Sequence, residues 1–259
     1  VPNVPAVEDV SLYLRRGETL GLVGESGSGK STIGRSIMKL VTPTAGRSAI
    51  SGQDVTGLSP RAMRPFRRDV QMVFQDPYAS LNPRLTILEL VTEPLAIHTS
   101  LTRADRREIA AGLLTRVGMS PDALTLYPHQ FSGGQRQRLC IARALSVKPK
   151  IIIADEPVSA LDVSVQAQVL DLMQELQAED GISYLFISHD LAVVEQMSHR
   201  IAVLHIGRIV ETGPAASVIG DARHAYTRRL LAAVPAADPS VRRGAMAFDA
   251  SDAPSPIRG

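Results

Sequence analysis

The stretch Gly24-Glu25-Ser26-Gly27-Ser28-Gly29-Lys30-Ser31, followed by Thr32, decides the fold class of this chain. It fits G-x-x-x-x-G-K-[ST] at every fixed position. Upstream, residues 19–23 form a short apolar run that reads as a strand, and downstream residues 30–40 read as a helix. Strand, glycine loop and helix in that order give the context in which such a loop wraps a phosphate. Glycine permits the close approach, because a Cβ would clash or forbid the dihedral angles needed. Consecutive N–H groups then point inward, and the helix start adds its positive end. Lys30 can reach the β- and γ-oxygens of a polyphosphate, and the Ser31 hydroxyl can ligate Mg²⁺. A purine triphosphate is the ligand class that this loop implies.

A second apolar run ends in acid: Ile151-Ile152-Ile153-Ala154-Asp155-Glu156-Pro157. An uninterrupted apolar run suits a strand buried on both faces of a parallel sheet. Ligands of open α/β sheets bind beyond the carboxyl ends of the strands. Taken alone, two adjacent acids could equally be a solvated turn. Beside the phosphate loop, Asp155 is placed to hold Mg²⁺ through water and Glu156 to polarise an attacking water. That second role is worth about 10²–10⁴-fold in rate.

Working outward, residues 7–13 alternate and read as a strand, and 48–51 and 70–74 supply further short strands. Residues 85–117 turn helical with a polar break at 99–102, and 135–146 read as another helix. Val165, Val169, Leu172, Met173 and Leu176 share one face of an amphipathic helix. Residues 182–187 read as strand, 191–197 as helix, and 201–206 with 209–212 as a hairpin turning at Gly207. Strands alternating with helices point to a wound α/β core, into which a helical subdomain at about residues 76–131 is inserted. After about Ala232 the periodicity stops, and the tail is expected to lack a core of its own.

Composition narrows the classes further. The 259 residues include 28 basic and 26 acidic side chains, net +2, with 44% hydrophobic and 21% charged residues. There is ample apolar material for a packed core, so global disorder is excluded. No run approaches the roughly 18–20 apolar residues of a transmembrane helix, so any membrane role is expected to be peripheral. Cys140 is the single cysteine, which excludes an internal disulfide, a cysteine-built zinc site or a four-cysteine cluster within these residues. A cytosolic setting fits that count. Of the 28 basic residues 24 are Arg, a bias read as base composition, and the balanced charge makes no case for nucleic acid. The chain opens Val1-Pro2-Asn3-Val4 without Met or a signal-peptide pattern, and is expected to be a segment of something longer.

Phe131-Ser132-Gly133-Gly134-Gln135-Arg136-Gln137-Arg138 opens a helix with free N–H groups, a second anion-binding helix start. In isolation it could be an ordinary serine-capped terminus. In this company it resembles the signature motif of ABC-type ATPases, with Phe131 where Leu is commoner. Gln75 in Val73-Phe74-Gln75-Asp76 resembles that family's Q-loop, and Ser159-Ala160-Leu161-Asp162 its D-loop. His189 in Ile187-Ser188-His189-Asp190 resembles its switch histidine. The resemblance covers about residues 4–236.

It implies an ABC-type P-loop ATPase core with a mostly parallel sheet, an N-terminal antiparallel β portion and an inserted helical subdomain. It implies division into 1–75 and 132–232 for the ATP-binding core, 76–131 for the helical subdomain and 233–259 for a C-terminal tail. ATP and Mg²⁺ are the implied ligands. Gly24, Glu25, Ser26, Gly27, Ser28, Gly29, Lys30, Ser31 and Thr32 would hold the phosphates, and Ser31, Gln75 and Asp155 the metal. Glu156 would act as general base, with His189, Gln75 and Lys30 also at the reacting phosphate. Ser132, Gly133, Gly134 and Gln135, with Asp162, would act on the nucleotide of an opposing subunit in a head-to-tail dimer. The family usually stacks adenine on an upstream aromatic residue; residues 1–10 contain none, and Tyr13 is a poor substitute.

Two stretches narrow the resemblance. Gln71-Met72-Val73-Phe74-Gln75-Asp76-Pro77-Tyr78-Ala79-Ser80-Leu81-Asn82-Pro83-Arg84 is similar to the Q-loop region of oligopeptide and dipeptide importer ATPases. His224-Ala225-Tyr226-Thr227 resembles that subfamily's His-Pro-Tyr-Thr motif, with Ala225 replacing Pro. Ala253-Pro254-Ser255-Pro256-Ile257 resembles the stretch that precedes a cysteine-rich, cluster-binding segment in relatives. The expected partners are a second ABC ATPase domain (homodimer, heterodimer or one longer chain), transmembrane permease subunits and, indirectly, an extracytoplasmic substrate-binding protein. Residues 77–90 are the expected permease contact or simply subdomain core. The expected location is the cytoplasmic face of the membrane. Nickel or another small solute as cargo, a soluble non-transport ABC ATPase and a sensor that binds ATP without turnover are the alternatives.

Overall fold

The computed structural model describes residues 5–233. The expected tail from residue 234 onward, with the stretch at 253–257, lies outside the described residues. Eight strands follow in order: β1 (Thr19–Val23), β2 (Ala49–Ile50), β3 (Gln53–Asp54), β4 (Val70–Val73), β5 (Ile151–Asp155), β6 (Ser183–Ser188), β7 (Arg200–His205) and β8 (Arg208–Pro214). Six of them form one sheet in the order β4-β5-β6-β1-β7-β8, parallel throughout except for the β7–β8 hairpin. β2 and β3 form a separate antiparallel pair.

The apolar runs decide which strands sit centrally. β1, β6 and most of β5 are buried along their length, as a strand covered on both faces requires. Alternate residues face opposite layers. Leu20, Leu22, Ile153, Leu185 and Ile187 pack with Ile33 of α1 (Lys30–Ile37) on one face. Val23, Ile152, Ala154, Tyr184 and Phe186 pack on the other against the remaining helices. These include α6 (Gly133–Leu145), α7 (Val163–Asp180) and α8 (Leu191–Met197). Register then aligns the strand ends: Val73 pairs with Ala154, Asp155 with Ile187, and Val23 with Ser188.

Between β4 and α6 the chain is helical. α2 (Arg64–Asp69) precedes β4; α3 (Pro77–Ser80), α4 (Ile87–His98), α5 (Arg103–Arg116) and two short 3₁₀ turns follow it. The polar break expected at 99–102 is the junction of α4 and α5. Thr102 and Asp105 cap each other's backbone N–H there, the capping box that starts a new helix. Thr86 and Glu89 start α4 in the same way. α9 (Ala215–Gly220) and α10 (Ala225–Ala232) close the described chain. Among the described residues no helix is long and apolar enough to cross a membrane.

One expected strand is not formed. In residues 7–13 the alternation is real, since Val10 and Leu12 turn to the core while Asp9, Ser11 and Tyr13 are exposed. Alternation reports which side is wet, whereas a strand also needs a neighbour's ladder of hydrogen bonds. The antiparallel pairing in the first part of the chain is that of β2 with β3.

Gly21, in the middle of β1, lies under α8 and the residue that follows it. A Cβ there would sit 2.4 Å from both Val194 Cγ1 and Ser198 Oγ. Gly21→Ala is therefore expected to lower stability by about 1–3 kcal/mol through overpacking. The check is a urea denaturation curve, with a lower midpoint at unchanged slope.

Candidate functional site

The loop after β1 owes its path to two close approaches. Gly24 has φ 155°, and a Cβ on it would lie 2.1 Å from the Leu204 carbonyl oxygen. Gly29, at the start of α1, has φ 106°, and a Cβ would lie 2.5 Å from the Ala6 carbonyl oxygen. Side chains are excluded at both points, so the backbone itself forms the surface. The hairpin tip adds a tether, with Gly207 N donating to Ser28 O at 3.0 Å. Lys30 folds back into the cradle and donates to the carbonyls of Gly24 (2.7 Å) and Glu25 (2.9 Å). Burial pulls its pKa below the ordinary lysine value, while Glu156, Asp155 and Glu25 pull it back up. An ammonium group held among oxygens in a glycine cradle suits an incoming polyanion.

Ser31, in the first turn of α1, donates to Asp155 Oδ1 at 2.7 Å and so joins the helix start to the end of β5. Asp155 is buried, which raises its pKa; the Ser31 hydroxyl, Arg35 and Lys30 lower it, and Glu156 raises it further. A buried carboxylate beside a hydroxyl is a hard-oxygen donor pair that a divalent cation would relieve of its desolvation. Among the described residues no group of three or more His, Cys, Asp or Glu forms a closed cage.

Glu156 follows with φ 48°, a left-handed conformation costing about 1–2 kcal/mol outside glycine. Local bonds over-determine it. Its N–H donates to Ile187 O at 2.9 Å, and its carbonyl accepts from Ser159 Oγ at 3.1 Å. Its Oε2 accepts from Gln75 Nε2 at 2.9 Å and lies 3.2 Å from His189 Nδ1. Gln75 follows β4, Glu156 follows β5 and His189 follows β6, so the three meet because their strands are parallel neighbours. A cleft of about 380 Å³ opens beside them, lined also by Tyr78, Gly133 and Leu161.

Ser132 caps α6: its hydroxyl accepts from Gln135 N at 3.3 Å, and Gln135 Oε1 accepts from Ser132 N at 3.0 Å. Ser132 and Gln135 thus satisfy each other, leaving the Gly133 and Gly134 N–H groups as the helix's orphan donors. Gly134 packs against Val165 of α7, where a Cβ would meet Val165 Cγ1 at 2.3 Å. Asp162 sits at the start of α7, exposed and without a side-chain cap bond. The structure therefore brings residues 132–135 and 162 to neighbouring helix starts, and gathers Lys30, Ser31 and Asp155 with Glu156, Gln75 and His189.

Two aromatic residues flank β1, one at each end. Tyr13 stacks beneath the Arg200 guanidinium, 4.2 Å from the ring centroid, and Arg200 in turn pairs with Glu18. That is the amino end of β1, opposite the glycine loop, so Tyr13 is no platform for a ligand held there. Tyr226, which sequence reading assigned no role, brings its hydroxyl to Glu25 N of the loop at 3.0 Å. It comes from α10, whose start is held by Glu211: the carboxylate accepts from Arg223 N (2.9 Å) and His224 N (3.1 Å). The resemblance to His-Pro-Tyr-Thr was the sole signal that marked it. Ala225, in place of Pro, is the first helical position, where proline is favoured but the helix forms without it.

Comparison with known proteins follows the same lines. A family model described as ABC transporter matches residues 7–159. The glutathione import ATP-binding protein GsiA of Pectobacterium atrosepticum is 54% identical over 99% of this chain, which spans 41% of that protein's length. The probable peptide ABC transporter ATP-binding protein y4tS of Sinorhizobium fredii is 54% identical over 99% of this chain and 72% of its own. Among solved structures, the dimeric post-hydrolysis state of the ATP-binding cassette MJ0796 bound to ADP and Pi superposes with TM-score 0.74. It is 34% identical and the match covers 81% of this chain and 90% of that one.

Glu211 yields a pH prediction. Burial alone would raise its pKa, but the N–H groups of Arg223 and His224, the Thr227 hydroxyl and the nearby His224 lower it below the ordinary value. A depressed carboxylate pKa stabilises the fold above the unfolded-state value and loses that contribution as pH falls through the folded one. Glu211→Gln is expected to melt below the native protein at neutral pH. The gap should close on acidification through and below the usual glutamate range, as followed by thermal melts across pH.

Proposed function

The chain belongs to the ABC transporter family, and on that premise we propose that it is the ATP-binding and ATP-hydrolysing subunit of a membrane importer for peptides. The observation that carries this reading is the meeting of Gln75 and His189 on Glu156 beside a lysine-filled glycine cradle. The cradle would hold the triphosphate through the N–H groups of residues 24–32 and Lys30. Ser31, Gln75 and Asp155 would hold Mg²⁺, which supplies charge neutralisation at the phosphate oxygens when bound. Glu156 accepts the proton of the attacking water; Gln75 and His189 orient its carboxylate, and His189 reaches the γ-phosphate.

Residues 132–135 and Asp162 serve a partner's nucleotide in this reading, in a head-to-tail pair with a second cassette. The dimeric form of the ADP-bound relative supports such pairing. Binding that favours the closed pair over the open one supplies the energetic link to transport. The helical segment at 76–131 would carry the motion to permease subunits at the cytoplasmic face of the membrane, and indirectly to a substrate-binding protein outside. Peptide as cargo is supported by the names of the two relatives, since glutathione is itself a small peptide.

Glu156→Gln keeps the shape and loses the base. It is expected to retain ATP binding while turnover drops at least ~10²-fold. Steady-state hydrolysis and nucleotide affinity, measured together, decide; near-normal turnover would remove Glu156 from the base role. Lys30→Ala is expected to weaken triphosphate binding in a direct titration, and unchanged affinity would mean that the loop does not cradle phosphate.

A further inference from the structure

We propose that Tyr226 is a positioning residue for the phosphate loop, setting how tightly the loop takes a triphosphate and leaving the rate of its cleavage alone. The inference rests on the reading above that this loop binds ATP. Tyr226 is 2% exposed, its ring stacked on His205 at the end of β7 with centroids 3.8 Å apart. Its position is fixed from two sides. His224 Nδ1 accepts from Tyr226 N at 3.2 Å, and Glu211 holds the turn before α10.

The hydroxyl then acts on one residue of the loop. Glu25 N donates to Tyr226 Oη at 3.0 Å, while Glu25 O accepts from Lys30 Nζ at 2.9 Å and from Ser28 N at 3.2 Å. Glu25 is thus held outward by the phenol and inward by the lysine. The preceding Gly24 is pressed on Leu204 O, next to the His205 that carries the ring. Burial raises the phenol's pKa, so it stays a neutral hydroxyl with lone pairs to accept the N–H.

Remove that oxygen and the Glu25 N–H faces an apolar ring with no acceptor. The loop gains freedom to turn the N–H toward water, and nucleotide binding must restore the order that the phenol had imposed beforehand. Affinity suffers. The contacts of Glu156 with Gln75 and His189 do not involve α10, so the chemical step has no reason to change.

Tyr226→Phe in the full chain isolates the hydroxyl, because the ring and its stacking are kept. The readouts are KM and kcat for ATP, the affinity for a fluorescent ATP analogue, and the melting temperature without nucleotide. The expected result is a rise in KM and in the analogue's Kd of about 5–30-fold, with kcat within about twofold and the nucleotide-free melt little moved. Unchanged KM and Kd would overturn the inference, as would a fall in kcat and melting temperature with KM untouched. Lys30→Ala in the same titration separates the two levels of argument. If it loses the analogue while Tyr226→Phe does not, the inference fails and the ATP reading stands; if neither variant changes affinity, both fail.

Discussion

Glu156 holds the site together because it stands where β4, β5 and β6 end side by side. A parallel sheet delivers all its carboxyl ends to one edge, and the register here leaves them nearly level. Residues 81 and 33 positions away therefore reach the same carboxylate oxygen without a dedicated loop to carry them. The left-handed turn at Glu156 costs a little, and its bonds to Ile187 and Ser159 keep the side chain aimed. Asp155, one residue earlier, faces the other way into the buried contact with Ser31. One strand end thus sends one carboxylate to Ser31 and the next to Gln75 and His189.

The glycine cradle depends on the same edge but is shaped by different neighbours. Gly24 leans on β7, Gly29 on the segment before β1, Ser28 on the β7–β8 tip, and Glu25 on α10. A loop of small residues has high conformational freedom, and each such contact removes some of it before any ligand arrives. Lys30, resting on the loop's own carbonyls, keeps its charge inside the cradle meanwhile.

Much of this was legible in the residues. The loop pattern, the acids after residues 151–154 and the break at 99–102 each mark a local rule, and each falls at an element boundary as that rule predicts. What stayed hidden is non-local. Alternation at residues 7–13 could not say whether a strand stands alongside. The ring of Tyr13 could be found in the sequence, but not that it lies at the wrong end of β1 under Arg200. Nothing in spacing joins Tyr226 to Glu25, because that contact is made by the return of the chain and not by any period.

That return has a bearing on how the molecule is made. The hydroxyl that braces the glycine loop is synthesised 201 residues after the N–H it accepts. Nascent chains fold as they emerge, and an early segment whose supports are late must wait for them. The cradle is thus written well before its brace, and its final shape waits for α10 to follow.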